Sequence, residues 1–322
     1  MLDAETLQPV SFPREAFEPP RMKPELFASV VELNTGICES VEEAIGELRE
    51  LRAEAKRRAG AAGLALAGAG TWPTAVSENQ AITDNEGYRH FVEFAGSSAK
   101  RQYCSGLHVH IGMESPESCL ASLEGVLPWL PLVLALSANS PYAAGRESGL
   151  ASARAEILTL LPRAGAPPVF HSYSEWEAFA ERLLSLGLAD EYTRIWWDIR
   201  PHPRFGTLEV RMPDQPTSLD ATAALAGLVY ALVRSADAGP PADRGVYAEN
   251  RWAASRFGRA AEFIHPDGER LVTVPALLDE LADRLGAAVI EPLRDLDQAG
   301  EQLELGRREG LDAVCRRLVA LT

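Results

Sequence analysis

The chain has 322 residues, of which 46% are hydrophobic and 24% charged. This composition is that of an ordinary globular protein, and the length suffices for one large domain or two small ones. Its formal net charge is −15, because 46 acidic residues outnumber 31 basic ones. Affinity for a nucleic-acid backbone comes mainly from phosphate neutralisation by Lys and Arg, and this charge therefore argues against a nucleic-acid partner. The four cysteines show no CxxC spacing, so neither a zinc ribbon nor a disulfide scaffold is indicated.

The predicted elements follow one another without regular βαβ spacing or internal repeats. In chain order they are a loop or outer strand (1–23), a strand (26–35), a helix from a capping box at residues 40–43, strands at 64–69 and 103–112, a helix from 116 toward 139, a helix from a second capping box at residues 174–177, strands at 194–200 and 206–212, and helices near 218–236, 246–258, 274–286 and 307–321. Strands separated by helices, with a helical C-terminal third, predict a single α+β domain over residues 1–322, built on an antiparallel sheet.

The start of the chain and its most apolar stretch bear on localisation. No basic, apolar and cleavage-site signal opens the chain. The most apolar stretch, residues 126–138, contains Pro128 and Pro131 and is too short to span a bilayer. We therefore expect a cytoplasmic protein with no membrane partner.

Polar residues recur at i, i+2 spacing on predicted strands, which places both members of each pair on one face. The pairs are His108 and His110, Asp198 and Arg200, and Glu209 and Arg211. A solvated face is the plain interpretation of any one strand alone. The apolar residues between the pairs, and the short turn joining the two later strands, favour one shared polar face. Such a face suits a divalent cation beside guanidinium groups that neutralise phosphate.

A second group of polar residues lies on a predicted loop over residues 138–154. Gly145 and Gly149 permit close backbone approach, while Arg146 and Arg154 carry forked donors that can clamp a carboxylate or phosphate. An ordinary helix-terminating loop with surface arginines fits this spacing equally well. The sequence contains no P-loop, GxSxG or HExxH motif, and no GxGxxG after a strand, which removes several enzyme classes.

At these residues the sequence resembles the carboxylate–amine ligases of the glutamate–cysteine ligase type 2 family. The matching runs lie in order and cover most of the chain from about residue 20: VELNTGIC (31–38), LHVHIG (107–112), LSANSPYAAGRESGLASAR (136–154), WWDIRPHPRFGTLEVRMPDQPT (196–217) and ENRWAASRFG (249–258). The resemblance implies a glutamine-synthetase-like fold, in which helices flank a curved antiparallel sheet with the active site on its concave face. It also implies chemistry that depends on ATP and Mg²⁺ (or Mn²⁺). The γ-carboxylate of glutamate is phosphorylated, and the amine of cysteine or a related amine displaces the phosphate.

The resemblance further implies roles for individual residues, with Arg211 expected to stabilise the transferred phosphoryl group. The candidates are Glu209, Arg211 and Arg146 as catalytic residues, Arg154, Arg200 and Asn139 as ATP-binding residues, and Glu32, His110 and Glu209 as metal ligands. On this basis, replacing Glu209 by glutamine is expected to abolish ATP turnover and to leave thermal stability nearly intact. The expected partners are the small-molecule substrates, and a homodimer stays open.

One departure from the family pattern concerns the N-terminal region. Members usually open with a strand that carries a run of glutamates, G-V-E-E-E-F, followed by a D-x-x-T segment, and this chain matches only the second part, at residues 3–6. The expectation is that the first acidic strand, with its metal ligands, is missing. Two alternatives to an active ligase therefore stay open. One is a catalytically weak or inactive nucleotide-binding member of the same fold, and the other is a metal-dependent hydrolase that uses the HxH strand.

Overall fold

The computed structural model describes residues 1–13, 17–237 and 239–322. Helices account for most of the regular structure in this part of the chain. They are α1 (Val41–Ala61), α2 (Glu86–Ala95), α3 (Ser97–Lys100), α4 (Pro116–Val126), α5 (Leu130–Ser137), α6 (Ala153–Leu158), α7 (Tyr173–Ser185), α8 (Leu219–Arg234), α9 (Arg244–Phe257), α10 (Val274–Leu285), α11 (Ala287–Ile290), α12 (Gln298–Glu309) and α13 (Leu311–Leu321).

The strands are short and pair in antiparallel fashion in every described ladder. They are β1 (Leu2–Asp3), β2 (Met22–Pro24), β3 (Val31–Leu33), β4 (Leu64–Ala65), β5 (Val109–Gly112), β6 (Tyr142–Ala143), β7 (Arg146–Glu147), β8 (Ile199–His202), β9 (Thr207–Val210), β10 (Glu262–Ile264) and β11 (Leu271–Thr273). A three-stranded sheet has the order β5–β9–β8, and the other strands form the pairs β1–β4, β2–β3, β6–β7 and β10–β11. The predicted α+β class with antiparallel strands flanked by helices is confirmed.

The three-stranded sheet has one apolar and one polar face, as the period of two in its sequence predicts. Ile111, Leu208, Val210 and Met212 lie on the apolar face and are at most 7% exposed. They belong to the largest hydrophobic cluster, to which α5 and α8 also contribute. Helices α4 and α8 pack against the strands. The opposite face is thereby left to the polar side chains.

Capping decides where two of the helices begin. The Ser40 side chain accepts a hydrogen bond from the Glu43 N–H and starts α1, as predicted. The predicted capping box at residues 174–177 is wrong by two residues. The cap of α7 is Ser172, which accepts from the Glu175 N–H, while the Glu175 carboxylate accepts from the backbone N–H of His171. The sequence allows a helix to start at either Ser172 or Ser174, and the helix that starts at Ser172 has Trp176 buried in the core.

The turn between β8 and β9 lies further along the chain than predicted. The strands span four residues each rather than seven, and Pro201 pairs with Leu208 within the ladder instead of opening the turn. Proline is tolerated there because β8 is the outer strand of this sheet, where a missing N–H need not break the ladder. Gly206 takes the positive φ of 65° that closes the turn before β9.

The helical regions differ from prediction in two further places. Residues 307–321 were predicted as one helix, but Gly310, with φ of 85°, separates α12 from α13. The segment Pro116–Ser137 forms a 22-residue helical stretch, which by length and composition alone is long and apolar enough to cross a membrane. The prediction of a segment too short to span a bilayer concerned residues 126–138 alone. The helical stretch is longer because Pro128 and Pro131 lie at first-turn positions that a helix tolerates. It is 78% buried inside the fold, which accounts for its apolar composition.

Candidate active site

The polar face of the sheet is organised around Glu209 on the central strand. The ladder register places Glu209 opposite His110 of β5 on one side and opposite Arg200 of β8 on the other. Side chains at directly paired positions share a face, so the three groups lie side by side across the sheet. Together with Arg211, whose guanidinium bonds to Glu209, they form the polar row, which unites four of the residues that the sequence predicted for the site.

Glu209 is buried between two arginines. Its carboxylate accepts a hydrogen bond from Nε of Arg200 at 2.6 Å, and its other oxygen accepts one from Nη1 of Arg211. Burial alone would raise the pKa of Glu209, but the charges of Arg211 and Arg200 outweigh it and hold the pKa well below its usual range. Burial and the Arg211 charge together lower the pKa of Arg200 to about 10. At neutral pH the row therefore holds one carboxylate and two guanidinium cations.

Arg200 and Arg211 differ in their hydrogen bonds to the protein and in their exposure to solvent. Arg200 also donates to the carbonyl oxygens of Thr193 and Ile195, at 2.6 and 2.8 Å, and its side chain is only 5% exposed. The side chain of Arg211 is 17% exposed and retains donors toward solvent. The geometry therefore gives Arg200 a fixed position beside Glu209 and leaves Arg211 available to a bound anion.

Two histidines border the same carboxylate. Nδ1 of His108 and Nε2 of His110 lie 3.8 and 3.7 Å from one oxygen of Glu209. Burial and the Arg211 charge lower the pKa of His108 well below its ordinary value, and burial also lowers the pKa of His110. Both imidazoles are therefore neutral at pH 7. The hydroxyl of Thr207 lies 2.9 Å from Nδ1 of His110 and orients that ring.

A pair of carboxyl groups adjoins the histidines. Glu32 of β3 lies opposite Lys23 of β2, and their charged atoms are 2.8 Å apart. Burial lowers the pKa of His110, and the Glu32 charge opposes this without outweighing it, so the two side chains are within electrostatic reach of each other. Burial and the neighbouring Glu32 raise the pKa of Glu25 to about 8. Glu25 was not predicted from the sequence, because the chain reverses between β2 and β3 and no spacing rule links it to Glu32.

The predicted metal ligands do not come together as a formed cation site. Within residues 1–13, 17–237 and 239–322, no three His, Cys, Asp or Glu side chains group so that they could hold a metal ion. Both oxygens of Glu209 accept from guanidinium groups, and Glu32 is paired with Lys23. Hard cations require several free oxygen donors. As arranged, these donors do not fit magnesium or zinc, and the two guanidinium groups that bond Glu209 favour an anion instead.

The predicted ATP-binding residue Arg154 lies beneath the polar face. It is 3% exposed and donates to the carbonyl oxygens of Met212 and Arg211 at 2.8 and 3.0 Å. Its guanidinium occupies the space beside Gly106, where an added Cβ would lie 2.0 Å from Nη2. The contacts of Arg154 therefore support the backbone that carries Arg211. Its guanidinium is not open to a phosphate.

Asn139, also predicted to bind ATP, is fully buried in a network around Asp214. Its amide nitrogen donates to the carbonyl of Gln215 at 2.8 Å and to the hydroxyl of Thr217 at 3.0 Å. Asp214 is 0% exposed and accepts from the Asn139 N–H and from the hydroxyls of Ser140 and Ser152. Asp214 was missed, although an acidic residue that continues the apolar series of positions 208, 210 and 212 was a usable signal.

Two predicted polar residues lie outside the row. Arg146 is exposed on β7, beside an ion pair between Glu147 and Arg307. The placement of Asp198 on the shared polar face was wrong. Asp198 precedes the regular part of β8, so alternation does not extend to it, and it accepts from the Tyr247 hydroxyl at 2.7 Å and from an arginine of α9 at 2.8 Å.

Comparison with known proteins decides the family. A family model described as glutamate-cysteine ligase family 2 matches residues 8–310. This chain belongs to the glutamate-cysteine ligase family 2. A Haloferax volcanii protein named "Glutamate--cysteine ligase" is 32% identical over 314 residues, covering 94% of this chain and 88% of that protein. A Rubrobacter xylanophilus protein named "Putative glutamate--cysteine ligase 2-1" is 40% identical over 266 residues, covering 81% and 71% of the two chains.

A solved structure shares the fold of this family 2 member. It is the bifunctional glutathione synthetase from Pasteurella multocida, with a TM-score of 0.71 and 14% identity, covering 99% of this chain. The chain spans about half of that protein, 51% of its length. The predicted carboxylate–amine ligase fold is thereby confirmed. Membership of the family supports the corresponding class of enzyme, a ligase that forms carbon–nitrogen bonds.

Proposed function

We propose that the protein is an ATP-dependent carboxylate–amine ligase that phosphorylates the γ-carboxylate of glutamate and joins it to the amine of cysteine or a related amine. The observation that carries this proposal is the row of Glu209, Arg200 and Arg211 in a chain of this family. Phosphoryl transfer depends mainly on positioning and on fixed positive charge at the transferred group. A buried row with a surplus guanidinium supplies both.

The charge of the row is opposite to that of the whole molecule. Two guanidinium groups against one carboxylate leave the row one positive charge, in a chain whose net charge is −15. Glutamate and ATP are both anionic, so this local charge favours their binding where the overall field opposes it. Arg211, the more exposed of the two, is proposed to contact the transferred phosphoryl group.

The proposed reaction has two displacements. A carboxylate oxygen of glutamate attacks the γ-phosphorus of ATP and ADP leaves. The amine nitrogen then attacks the acyl carbon, inorganic phosphate leaves, and the nitrogen loses a proton. The neutral ring of His110, oriented by Thr207, is proposed to accept that proton. Arg211 balances the charge that develops on the departing phosphate.

Magnesium or manganese is proposed to reach the site together with ATP. Such ions usually keep several waters and are held by one or two carboxylates plus substrate phosphates, so a complete site of protein groups is not required. The donors described above do not fit the ion by themselves, and the roles proposed for Arg211 and His110 do not require it. We also propose a cytoplasmic location and a homodimeric assembly.

Phosphate release from Mg-ATP tests the proposed function. We expect release that requires glutamate together with an amine, from a panel that includes cysteine. Arg211→Lys should lower the rate about a hundredfold, because one ammonium cannot replace the forked donors. Arg294→Lys, whose side chain is 36% exposed and pairs with surface acids, is the matched control and should retain the wild-type rate. Release that ignores glutamate, or no release with any amine, refutes the proposal.

A further inference from the structure

An exposed aromatic ring lies beside the histidines of the site, at the turn between β8 and β9. Phe205 is 62% exposed, yet one face of its ring is stacked on His202, with centroids 4.2 Å apart and planes inclined by 12°. His202 is 6% exposed and is held edge-on by Tyr192 and His110, at centroid distances of 5.1 and 5.2 Å. The Phe205 ring is therefore fixed in position while its outer face stays open.

The position of this ring relative to the charged row defines the shape of a ligand. The His110 ring is 5.8 Å from Phe205, and its Nε2 is 3.7 Å from the Glu209 carboxylate, so one side chain adjoins both features. The four residue steps from Thr207, the first residue of β9, to Arg211 just beyond the strand span about 13 Å. A ligand that fits both ends carries a planar aromatic group at one end and negative charge at the other.

A ligand that stacks on Phe205 would lose little binding free energy to the ordering of that side chain. The ring is already held by His202, so little side-chain freedom is lost on binding. Every nucleobase presents a π face, and stacking on an aromatic side chain contributes about 1–3 kcal/mol per base. Isolated exposed hydrophobic residues are common on protein surfaces. Phe205 differs from them because its ring continues an ordered stack that ends at the anion-binding row.

We propose that the outer face of Phe205 is the stacking surface for the purine base of the nucleotide, whose phosphates lie toward Arg211. The assignment rests on the proposed function, since it presumes that the ligase binds ATP. His202 acts as a positioning residue that holds the Phe205 ring. The predicted row of charged residues then binds the opposite end of the same ligand.

Titration calorimetry of the full chain with Mg-ATP and with Mg-tripolyphosphate separates base from phosphate recognition. We expect Phe205→Ala to raise the Kd of ATP about five- to a hundredfold and to leave the Kd of tripolyphosphate unchanged. Phe205→Trp should retain tight ATP binding. Phe94→Ala removes a ring that is 47% exposed on α2 and is the matched control, with both constants unchanged.

Three other outcomes would contradict the stacking surface, and one of them would also contradict the proposed function. Wild-type affinity of Phe205→Ala for ATP overturns the stacking surface and leaves the proposed function intact. An equal loss for ATP and tripolyphosphate assigns Phe205 a structural role in the turn and also overturns it. If the wild-type chain binds neither ligand, the proposed function fails and the stacking surface fails with it. Because Phe205 is exposed, a melting curve for each variant shows whether the fold is retained.

Discussion

Glu209→Gln tests whether the central carboxylate holds the polar row together. Glu209 is 2% exposed and accepts from Arg200 and Arg211 through different oxygens. Glutamine offers one oxygen acceptor, and its NH₂ group would face a guanidinium that can only donate. One arginine therefore loses its partner. Burial and the Arg211 charge, which already lower the pKa of Arg200, are then no longer balanced by a carboxylate.

The expected loss follows from burial. Removing one partner from a buried ion pair costs about 3–5 kcal/mol, because the remaining charge stays buried without compensation. The Arg211 side chain is 17% exposed and partly screened by water, so we expect the lower end, about 3 kcal/mol. The expectation drawn from sequence, that this variant keeps nearly its full stability, is thereby revised. Residue spacing placed both arginines on the face of Glu209 but did not show that both of them bond to its carboxylate.

Urea unfolding at pH 7, followed by tryptophan fluorescence, measures this loss. Glu147→Gln, which removes an exposed pair with Arg307, is the control and should change the free energy of unfolding little. The pKa of Glu209 in the folded protein lies below its ordinary 4.5, so its contribution is present above about pH 4.5 and is lost as the pH falls. The gap between wild type and Glu209→Gln should therefore narrow in acid. Equal stability of the two proteins at pH 7 would refute the reasoning.

Three further changes probe the supporting structure. Gly106→Ala places a methyl group 2.0 Å from Nη2 of Arg154, so the guanidinium must give up two backbone carbonyls, and urea unfolding should show a loss of about 3 kcal/mol. Glu25→Gln should flatten the pH dependence of the unfolding free energy between about pH 5 and pH 8. In the wild type the pKa of Glu25 is raised to about 8 in the folded state, so stability falls as pH rises through this window. Leu208→Ala, at a position that is 0% exposed, should cost about 2–5 kcal/mol in the same unfolding assay.

For each of these three predictions, one experimental result would contradict it. Gly112→Ala lies on the same strand as His110 with nothing within 4 Å of the new Cβ, and an equal loss there would show that Gly106 is not special. A wild-type slope of stability against pH in Glu25→Gln would show that this carboxyl is not the titrating group. A neutral Leu208→Ala would place the core on the opposite face of the sheet.

The sequence by itself determined which face of the central strand β9 is polar. Side chains in a strand alternate with a period of two, so Glu209 and Arg211 had to lie opposite Leu208 and Val210, whatever the neighbouring strands were. Local hydrogen bonding likewise determined the start of α1 at Ser40. The long motif run over residues 196–217 carried the family resemblance, which the family match over residues 8–310 confirmed.

Only the tertiary structure decided how the polar residues are paired. Arg154 donates to backbone carbonyls beneath the sheet, and Asp198 holds side chains of α9, although their residue types alone suited a phosphate site equally well. Glu25 and Glu32 meet because the chain reverses between β2 and β3. Hydrogen bonds and charge pairs form between groups that are close in space, often from distant parts of the chain. Alternation along one strand specifies a direction, whereas the partner in that direction depends on how the other elements pack.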